Sequence, residues 1–587
     1  MRPFTFLMPV LFLLISAATA DAAELLPVKI NGLDETLERH VRSAIALPES
    51  KTSGVAVSEG RLSYYINNIN AMVEDSLEPL GYYQAKVSSR IERDQERVQL
   101  IVDVQLGDAV TVRNLQVNVE GPAADDRVIG FWLEGFEPGQ GQVFSHGLYE
   151  SSKASITQAL LDRGYFDQKN TVHKVEVTRA TGSADIHLEW DSGIRYNFGA
   201  VRFEGHVFEP GLLDKLVNFE QGKPFSQTQI NRLQESLAKL NYFSLIQIAP
   251  DLENKADGEA PILVNLTQGK RSNYNASLRY GSETGVGVEF GLQRLWINSR
   301  GHKLDFNAGW AQNEQSFSAL YRIPAFKWLD GWYGYGLEVR DEQYLGSPNR
   351  YVEAFASRSG EVRSWDLLAK INLRRERFDE FIPDREEDDE AINLYTSVIY
   401  PEFNAIWRQS DDVNYPKHGN AWYYQARVGY EFEASDAPFA QLYVKNKRIY
   451  SVGESANRIL LRGELGAIAT NSYDLFPPSL RFYAGGDQSL RGYGFKEIGD
   501  YVDGLNLGGR YLVIGSVEYQ HWILPDWAIA GFVDAGDAFD SEPNVNIGTG
   551  LGARWRSPVG PVRLDVAYGF HGPDPGWALH FTLGADL

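Results

Sequence analysis

Few residues in this sequence have the types and spacing of a catalytic site. Three histidines, His521, His571 and His580, lie near the C-terminus, but no GxSxG nucleophile motif accompanies them. HExxH and EF-hand patterns are absent, and the lack of cysteine excludes thiolate zinc sites, cysteine nucleophiles and disulfide frameworks. The glycine-rich run at 548–553 has no following helix that could bind phosphate. We therefore expect no enzymatic activity, no metal site and no cofactor, and interpret the histidines as interfacial or lumen residues.

The stretch AGGDQSLRGYGF, residues 484–495, offers binding chemistry instead. Four glycines surround one arginine, Arg491, next to Gly492 and Tyr493. A guanidinium forms charge-assisted, often bidentate pairs with carboxylates, and glycines let a hairpin pass close to a neighbouring backbone. The partner of Arg491 depends on the elements that hold this loop.

Composition restricts the class of protein. Residues 1–23 are predicted to be a secretory signal, because Arg2 precedes an apolar run that is too short to span a bilayer. The formal net charge of −22 argues against nucleic-acid binding. No later segment has eighteen successive apolar residues, so we expect no helical membrane span. A transmembrane β-barrel stays possible, because only alternate residues of its strands face lipid.

The N-terminal half contains an internal repeat with a period of about 80 residues. Each unit has an alternating strand-like run that ends in glycine, then helical periodicity, then an aromatic corner, then two alternating runs. The corners are LGYY (80–83), RGYF (163–166) and LNYF (240–243). The second helix of a unit is expected to begin after Ser145 and after Ser226. We predict three β-α-α-β-β units, at 24–107, 108–193 and 194–269.

The C-terminal part, 270–587, shows alternation without helical periodicity. In NAWYYQARVGYEF (420–432) the aromatic and aliphatic residues share one face, and RILLRGELGAIA (458–469) opposes leucines to charged residues. Sixteen such strands are predicted, an even number as bacterial barrels require. A soluble sandwich would turn its apolar face inward instead, and alternation alone does not choose between the two. The signal segment and the aromatic strand ends favour a 16-stranded antiparallel transmembrane barrel.

The predicted topology assigns each loop to one side of the membrane. Loops after odd-numbered strands face outward if both chain ends lie in the periplasm. The acidic stretch 379–390 then becomes an extracellular loop, and the Arg491 stretch lies in the long outward loop between strands 11 and 12. Loops of that length are usually functional.

A signal segment, three such repeats and sixteen strands with RGY in the sixth outward loop resemble the outer-membrane assembly superfamily, which includes BamA, TamA and the two-partner secretion transporters. The repeats resemble POTRA domains. Three repeats are most similar to the TamA type, since BamA-like proteins usually carry five and the secretion transporters two. The plug helix and proline-rich linker of a secretion transporter are not evident in the sequence.

The resemblance implies roles for particular residues. The RGY hairpin should fold back into the barrel lumen, where Arg491, with Gly492 and Tyr493 at the tip, contacts the wall of strands 12 and 13. Glu518 and Asp534 are the candidate wall carboxylates. Barrel clients commonly end in an aromatic residue, whereas this chain ends at Leu587, and Phe581 and Trp577 are expected to supply that aromatic signal instead.

The resemblance also implies partners and a mechanism. A TamB-like protein anchored in the inner membrane should bind the POTRA domains, and unfolded barrel or autotransporter clients and outer-membrane lipid should meet the barrel. A lateral seam between the first and last strands would open for a client. The candidate seam residues are small, polar or terminal: Ser272, Asn273, Ala276, Phe581 and Gly584. A polypeptide secretion pore and a route for envelope lipid remain alternatives.

Overall fold

A computed structural model describes residues 24–25, 28–44, 59–94, 97–281, 285–326, 330–344, 347–379, 393–412, 414–453, 457–502, 504–558 and 560–583. The predicted signal segment, nearly all of the acidic stretch 379–390, and Gly584 to Leu587 lie outside these ranges. The chain divides into two compact units. The first holds the first two repeats with 194–202, 218–232 and 248–264 of the third, and the second holds 203–217, 233–247 and 265–269 of the third repeat with the large C-terminal sheet.

The first repeat has a small mixed sheet with two helices. Its strands are β1 (Glu24–Leu25), β2 (Lys29–Asn31), β3 (Lys86–Asp94) and β4 (Arg97–Gln105), and its helices are α1 (Glu35–Ala44) and α2 (Glu59–Leu77). Strand β4 pairs in parallel with β1 and β2 and antiparallel with β3. One face of this sheet buries Leu100, Val102 and Val104 against helix residues such as Val73.

The second repeat follows the same order. It comprises β5 (Thr111–Glu120), α3 (Arg127–Glu134), α4 (His146–Asp162), β6 (Lys169–Thr178) and β7 (Ser183–Asp191), with sheet order β5-β7-β6. Helix α4 begins after Ser145, as predicted, and the Ser145 hydroxyl accepts a bond from the Leu148 amide. Trp190 is fully buried in the core of this repeat.

The third repeat departs from the predicted pattern at one element. It has β8 (Asn197–Glu204), α5 (Gln227–Lys239), β9 (Phe243–Pro250) and β10 (Glu259–Gln268), with order β8-β10-β9. Its first helical segment is a single 3-10 turn, Leu213–Leu216. Pro210 and Gly211 precede that turn, and Gly211 has a φ of +81°, so a longer helix cannot begin earlier. Within the described ranges, no helix has the length and apolar character needed to cross a membrane.

The aromatic corners join successive repeats. The Gly81 carbonyl of the first corner accepts a bond from the Val110 amide at 2.9 Å, and the Gly164 carbonyl of the second accepts one from the Tyr196 amide at the same distance. At the second joint the Tyr196 hydroxyl also donates to Asp167 at 2.7 Å. The aromatic corner is thus the element through which the first repeat contacts the second and the second contacts the third.

The C-terminal part forms one antiparallel sheet of sixteen strands in chain order, which confirms the predicted strand number. The strands before the long connection are β11 (Ser272–Gly281), β12 (Gly285–Arg294), β13 (Lys303–Ala311), β14 (Glu314–Ala325), β15 (Gly331–Tyr344), β16 (Ser347–Val362), β17 (Trp365–Asp379), β18 (Asn393–Ser410), β19 (Gly419–Gly429), β20 (Phe439–Ser451) and β21 (Arg458–Thr470). Those after it are β24 (Tyr511–Leu524), β25 (Trp527–Phe539), β26 (Asn546–Ser557), β27 (Gly560–Gly569) and β28 (Trp577–Leu583).

The two faces of the large sheet differ in the sense that a barrel requires. Along β24, Val513 and Val517 are about half exposed, whereas Glu518, between Val517 and Tyr519, is only 4% exposed. The apolar face is therefore open and the polar face covered, the reverse of a soluble sandwich.

Residues 471–510, called the long loop below, connect β21 to β24 and include the short hairpin β22 (Tyr501–Val502) and β23 (Leu505–Asn506). Phe476, Leu490 and Tyr493 of this loop are buried in one cluster with Ile514 of β24. The loop is thus packed against the sheet and has an apolar core of its own.

A buried arginine that fixes the long loop to the sheet

Arg491 lies among carboxylates on the polar face of the large sheet. Its Nε and Nη2 atoms donate to the two carboxylate oxygens of Asp534 at 2.8 and 2.9 Å, and Nη1 donates to Glu518 at 2.5 Å. The guanidinium also stacks on the Phe532 ring, 3.4 Å from its centroid. Arg491 is 6% exposed and Asp534 is fully buried. The pair is therefore bidentate and shielded from water, the arrangement in which a charge-assisted bond is most directional.

The surrounding side chains balance this buried charge. Arg554 of β26 donates to Glu518 at 3.0 Å and to Asp565 of β27 at 2.6 Å. Asp565 also lies 3.5 Å from Arg491. Two guanidiniums thus alternate with three carboxylates, and each carboxylate has at least one cationic neighbour. Such a network is stable only when every member is paired, because an unpaired buried charge is costly.

The residues after Arg491 approach the backbone of the sheet closely. Gly492 has a φ of +97°, and a Cβ there would lie 2.9 Å from the Gly569 amide nitrogen. On the sheet side, a Cβ at Gly548 of β26 would lie 1.8 Å from the Arg491 carbonyl oxygen. Both positions therefore require glycine. The Tyr493 hydroxyl donates to the Ile547 carbonyl at 2.9 Å, which holds the tip against β26.

A second part of the long loop contacts a different region of the polar face. The Ser479 amide donates to Glu376 of β17 at 2.9 Å, and Gln441 of β20 donates to the Leu480 carbonyl at 2.8 Å. Glu376 is fully buried. The long loop is therefore held at two separated groups of strands.

The structure brings together all five residues that the sequence predicted for the contact between loop and wall. Arg491, Gly492 and Tyr493 of the loop lie against the sheet, and Arg491 contacts both wall carboxylates, Glu518 and Asp534. The sequence left open which carboxylate pairs with Arg491. Both do: the Arg491 side chain donates two bonds to Asp534 and one to Glu518, and the Arg491 backbone amide donates a further bond to Asp534 at 3.0 Å.

Four of the five predicted seam residues lie on the two strands that end the sheet. On β11, Ser272 is half-buried, and Asn273 and Ala276 are exposed. On β28, Phe581 is 49% exposed on the apolar face. Gly584 lies outside the described residues.

Sequence reasoning missed several residues of the site. Arg554, Asp565 and Ser516 join the network around Arg491, and Ser479 joins Glu376. Arg554 and Asp565 alternate with apolar residues along their strands, and that alternation, which places them on the polar face, was the signal available in the sequence. Their meeting with Arg491 depends on register across four strands, which alternation does not reveal.

Family models match three parts of the chain. Residues 297–586 match the Omp85 superfamily domain. Residues 27–106 match the first POTRA domain of TamA, and residues 196–269 match a POTRA model described as a surface antigen variable number repeat. The matches fall on the large sheet and on the first and third repeats.

Individual relatives are distant in sequence. Outer membrane protein assembly factor BamA of Nitratidesulfovibrio vulgaris (Hildenborough) is 22% identical, across 92% of this chain and 70% of its own length. The crystal structure of BamA from Haemophilus ducreyi lacking POTRA domains 1–3 has a TM-score of 0.69 at 16% identity, covering 81% of this chain and 99% of that one. CdiB from Acinetobacter baumannii has a TM-score of 0.45 at 14% identity, covering 90% and 100% of the two chains.

The match to BamA at a TM-score of 0.69 concerns the fold, and the family models concern the superfamily. The large sheet is accordingly an outer-membrane β-barrel whose polar face lines the lumen, and the repeats are periplasmic. With an Omp85 superfamily domain preceded by POTRA domains, this chain is an Omp85 protein of the BamA and TamA type, an outer-membrane assembly or transport factor.

Proposed function

We propose that this protein assembles or inserts unfolded β-barrel and autotransporter clients in the outer membrane by lateral opening between β11 and β28. The observation that carries the proposal is the strand order: in the described part of the chain, the sheet begins at β11 and ends at β28, and the register contains no pair between them. Every side chain from Asn273 to Leu278 is exposed, and Leu278 reaches 85%.

Strand pairing explains how such a protein could work without chemistry. In lipid, every backbone amide and carbonyl needs a partner, so an open seam is satisfied only by another strand. An exposed strand edge is a template on which an extended segment can pair. We therefore infer that a client strand pairs with the free edge of β11. The small, polar side chains of β11 bind neighbours weakly, which favours exchange.

A disulfide across the seam tests this mechanism. The chain has no cysteine, so single cysteine pairs between 272–280 and 579–586 can be scanned without background. An oxidised pair should block client assembly into liposomes, and reductant should restore it. A matched pair between β11 and β12, at positions that already face each other such as Asn275 and Gly291, should oxidise without loss of assembly. Normal assembly with a fully locked seam contradicts lateral opening.

The POTRA domains are proposed to bind a TamB-like partner anchored in the inner membrane. The match of residues 27–106 to the first POTRA domain of TamA supports this assignment. The first repeat, 24–107, is the farthest in sequence from the barrel and is expected to accept a strand at its sheet edge. Deleting 24–107 should leave a heat-modifiable barrel that no longer co-purifies with the partner. Unchanged co-purification would place the contact on another repeat.

Polypeptide secretion through the lumen is distinguished by conductance. In a secretion pore, the loop leaves the lumen and ion current rises strongly when residues 484–495 are removed. In an assembly factor with lateral opening, the same deletion should impair assembly, while the seam disulfide still controls client insertion. A route for envelope lipid predicts lipid transfer that the seam disulfide blocks without any client present.

A further inference from the structure

The long loop contacts the last strand of the barrel as well as its inner wall. The Gly492 amide donates to Nε2 of His580 at 3.0 Å, and the Thr582 hydroxyl donates to the Asp487 carboxylate at 2.8 Å. His580 and Thr582 are two residues apart on β28, so both face the lumen, while Leu579 and Phe581 face outward. Two bonds therefore connect one loop to one edge of the seam.

The hydrogen bond to His580 requires one particular tautomer of its neutral imidazole ring. Because Nε2 accepts from the Gly492 amide, the ring proton must lie on Nδ1. His580 is 3% exposed, and its Nδ1 atom is buried without a hydrogen-bond partner in the described part of the chain. Within the described residues, the Gly492 amide of the long loop is the hydrogen-bond partner of this ring.

The loop tip also contacts the strands that lie between the wall carboxylates and β28. Arg491 is held by β24 and β25, and the Tyr493 ring contacts β26 and β27. The contacts to His580 and Thr582 extend this series to β28, which is the terminal strand. Arg462 of β21 also donates to the Gln488 and Ser489 carbonyls, so loop residues 487–493 contact six consecutive strands, of which the last is β28 at the seam.

We propose that the long loop clasps β28 through His580 and Thr582, so that the loop must release these residues before the seam opens. This inference deepens the proposed function, since it assigns the control of the seam to identified residues. Arg491 secures the loop to the rigid wall, and Asp487 with Gly492 secures the mobile edge to the loop. Loop release and lateral opening are then one coupled event.

The test measures the seam directly and does not depend on client assembly. Spin labels on cysteines introduced at Ser277 of β11 and Leu579 of β28, both exposed, report the seam distance in the full-length protein in nanodiscs. Thr582→Val keeps the side-chain shape and removes the donor, and His580→Leu removes the acceptor. Each variant should raise the open fraction roughly fivefold, as expected for one lost hydrogen bond.

Thr549→Val is the matched control, because the Thr549 hydroxyl donates to the Phe532 carbonyl of the wall and not to the loop. It should leave the distance distribution unchanged. Heat-modifiable mobility shows that each variant is folded, and two substitutions at different positions guard against the failure of one. If Thr582→Val and His580→Leu fold and both keep the wild-type distribution, the clasp is overturned.

The result separates this inference from the proposed function. A seam disulfide that fails to block assembly would refute lateral opening as the mechanism, although the loop would still control the measured seam distance. An unchanged seam distance in the clasp variants, with a seam disulfide that does block assembly, would refute the clasp alone.

Discussion

Replacing Arg491 with alanine tests whether the buried arginine holds the long loop in the lumen. The substitution removes two bonds to Asp534, one to Glu518 and the stacking on Phe532. Asp534 is fully buried and would keep the backbone amide of residue 491 at 3.0 Å, the Ser516 hydroxyl, and Arg462 4.0 Å away. Removing one partner of a buried pair costs about 3–5 kcal/mol. The population of released loop should therefore rise between about a hundredfold and a few thousandfold.

The two carboxylates should not contribute equally. Glu518 keeps two contacts from Arg554, at 3.0 and 2.9 Å, and one from Gln520 at 2.7 Å. Asp534 loses its bidentate partner. A double-mutant cycle should therefore give a larger coupling energy for Arg491 with Asp534 than for Arg491 with Glu518. Arg491→Ala with Asp534→Asn should recover part of the loss, because the orphan charge is removed.

Proteolysis of the folded barrel measures loop release. The protease should not cleave at arginine, because Arg491→Ala would otherwise remove one of its cleavage sites. Cleavage within 471–510 then follows the population of released loop, provided that the loop rebinds faster than it is cut. Arg510→Ala is the matched control, since Arg510 in the same loop is 36% exposed at its side chain and lies 3.5 Å from Asp540, a pair worth less than about 1 kcal/mol. Heat-modifiable insertion should survive in both variants, whereas client assembly should fall in Arg491→Ala only. Equal cleavage rates in the two variants would refute the anchor.

Two further substitutions probe the fit of the loop and the joint between repeats. Gly548→Ala places a Cβ 1.8 Å from the Arg491 carbonyl, so the long loop should become as protease-sensitive as in Arg491→Ala while β26 stays paired; wild-type protease resistance would contradict this. The bonds from Lys255 and then Tyr196 hold the pKa of Asp167 below its ordinary value, so this joint is stabilised above about pH 4 and loses that contribution as the pH falls through the lowered pKa. Amide protection factors near the second corner, corrected for the intrinsic pH dependence of exchange, should therefore fall at acidic pH in the wild type and already at neutral pH in Asp167→Asn, and an Asp167→Asn variant with wild-type protection at pH 7 would exclude the joint role.

The division into repeats and strands could be predicted because it is encoded in local periodicity. Alternating residues assign each strand a lipid face and a lumen face without reference to any other strand, as the exposed Val517 and the buried Glu518 illustrate. Glycine and the aromatic corners mark the repeats in the same local way. The first helix of the third repeat was mispredicted because Pro210 and Gly211 interrupt a segment whose apolar spacing is helical.

The candidate site was predicted only in part. Arg491, Glu518 and Asp534 were identified because a resemblance linked the RGY loop to the strands that follow it in sequence. Alternation predicts that Asp565 and His580 face the lumen, but it cannot say which loop atom lies level with them. That depends on strand register and on the path of the long loop.

What the sequence by itself determined is therefore the set of elements: three repeats, sixteen strands and the face on which each side chain lies, since these follow from periods of two and of 3.6 residues. Only the tertiary structure decided which polar residues meet. Arg491 reaches Asp534 from 43 residues away, and Gly492 reaches His580 from 88 residues away. Such pairs arise because strands and loop converge on a shared space, and their position there is a property of register and packing that no short stretch of sequence contains.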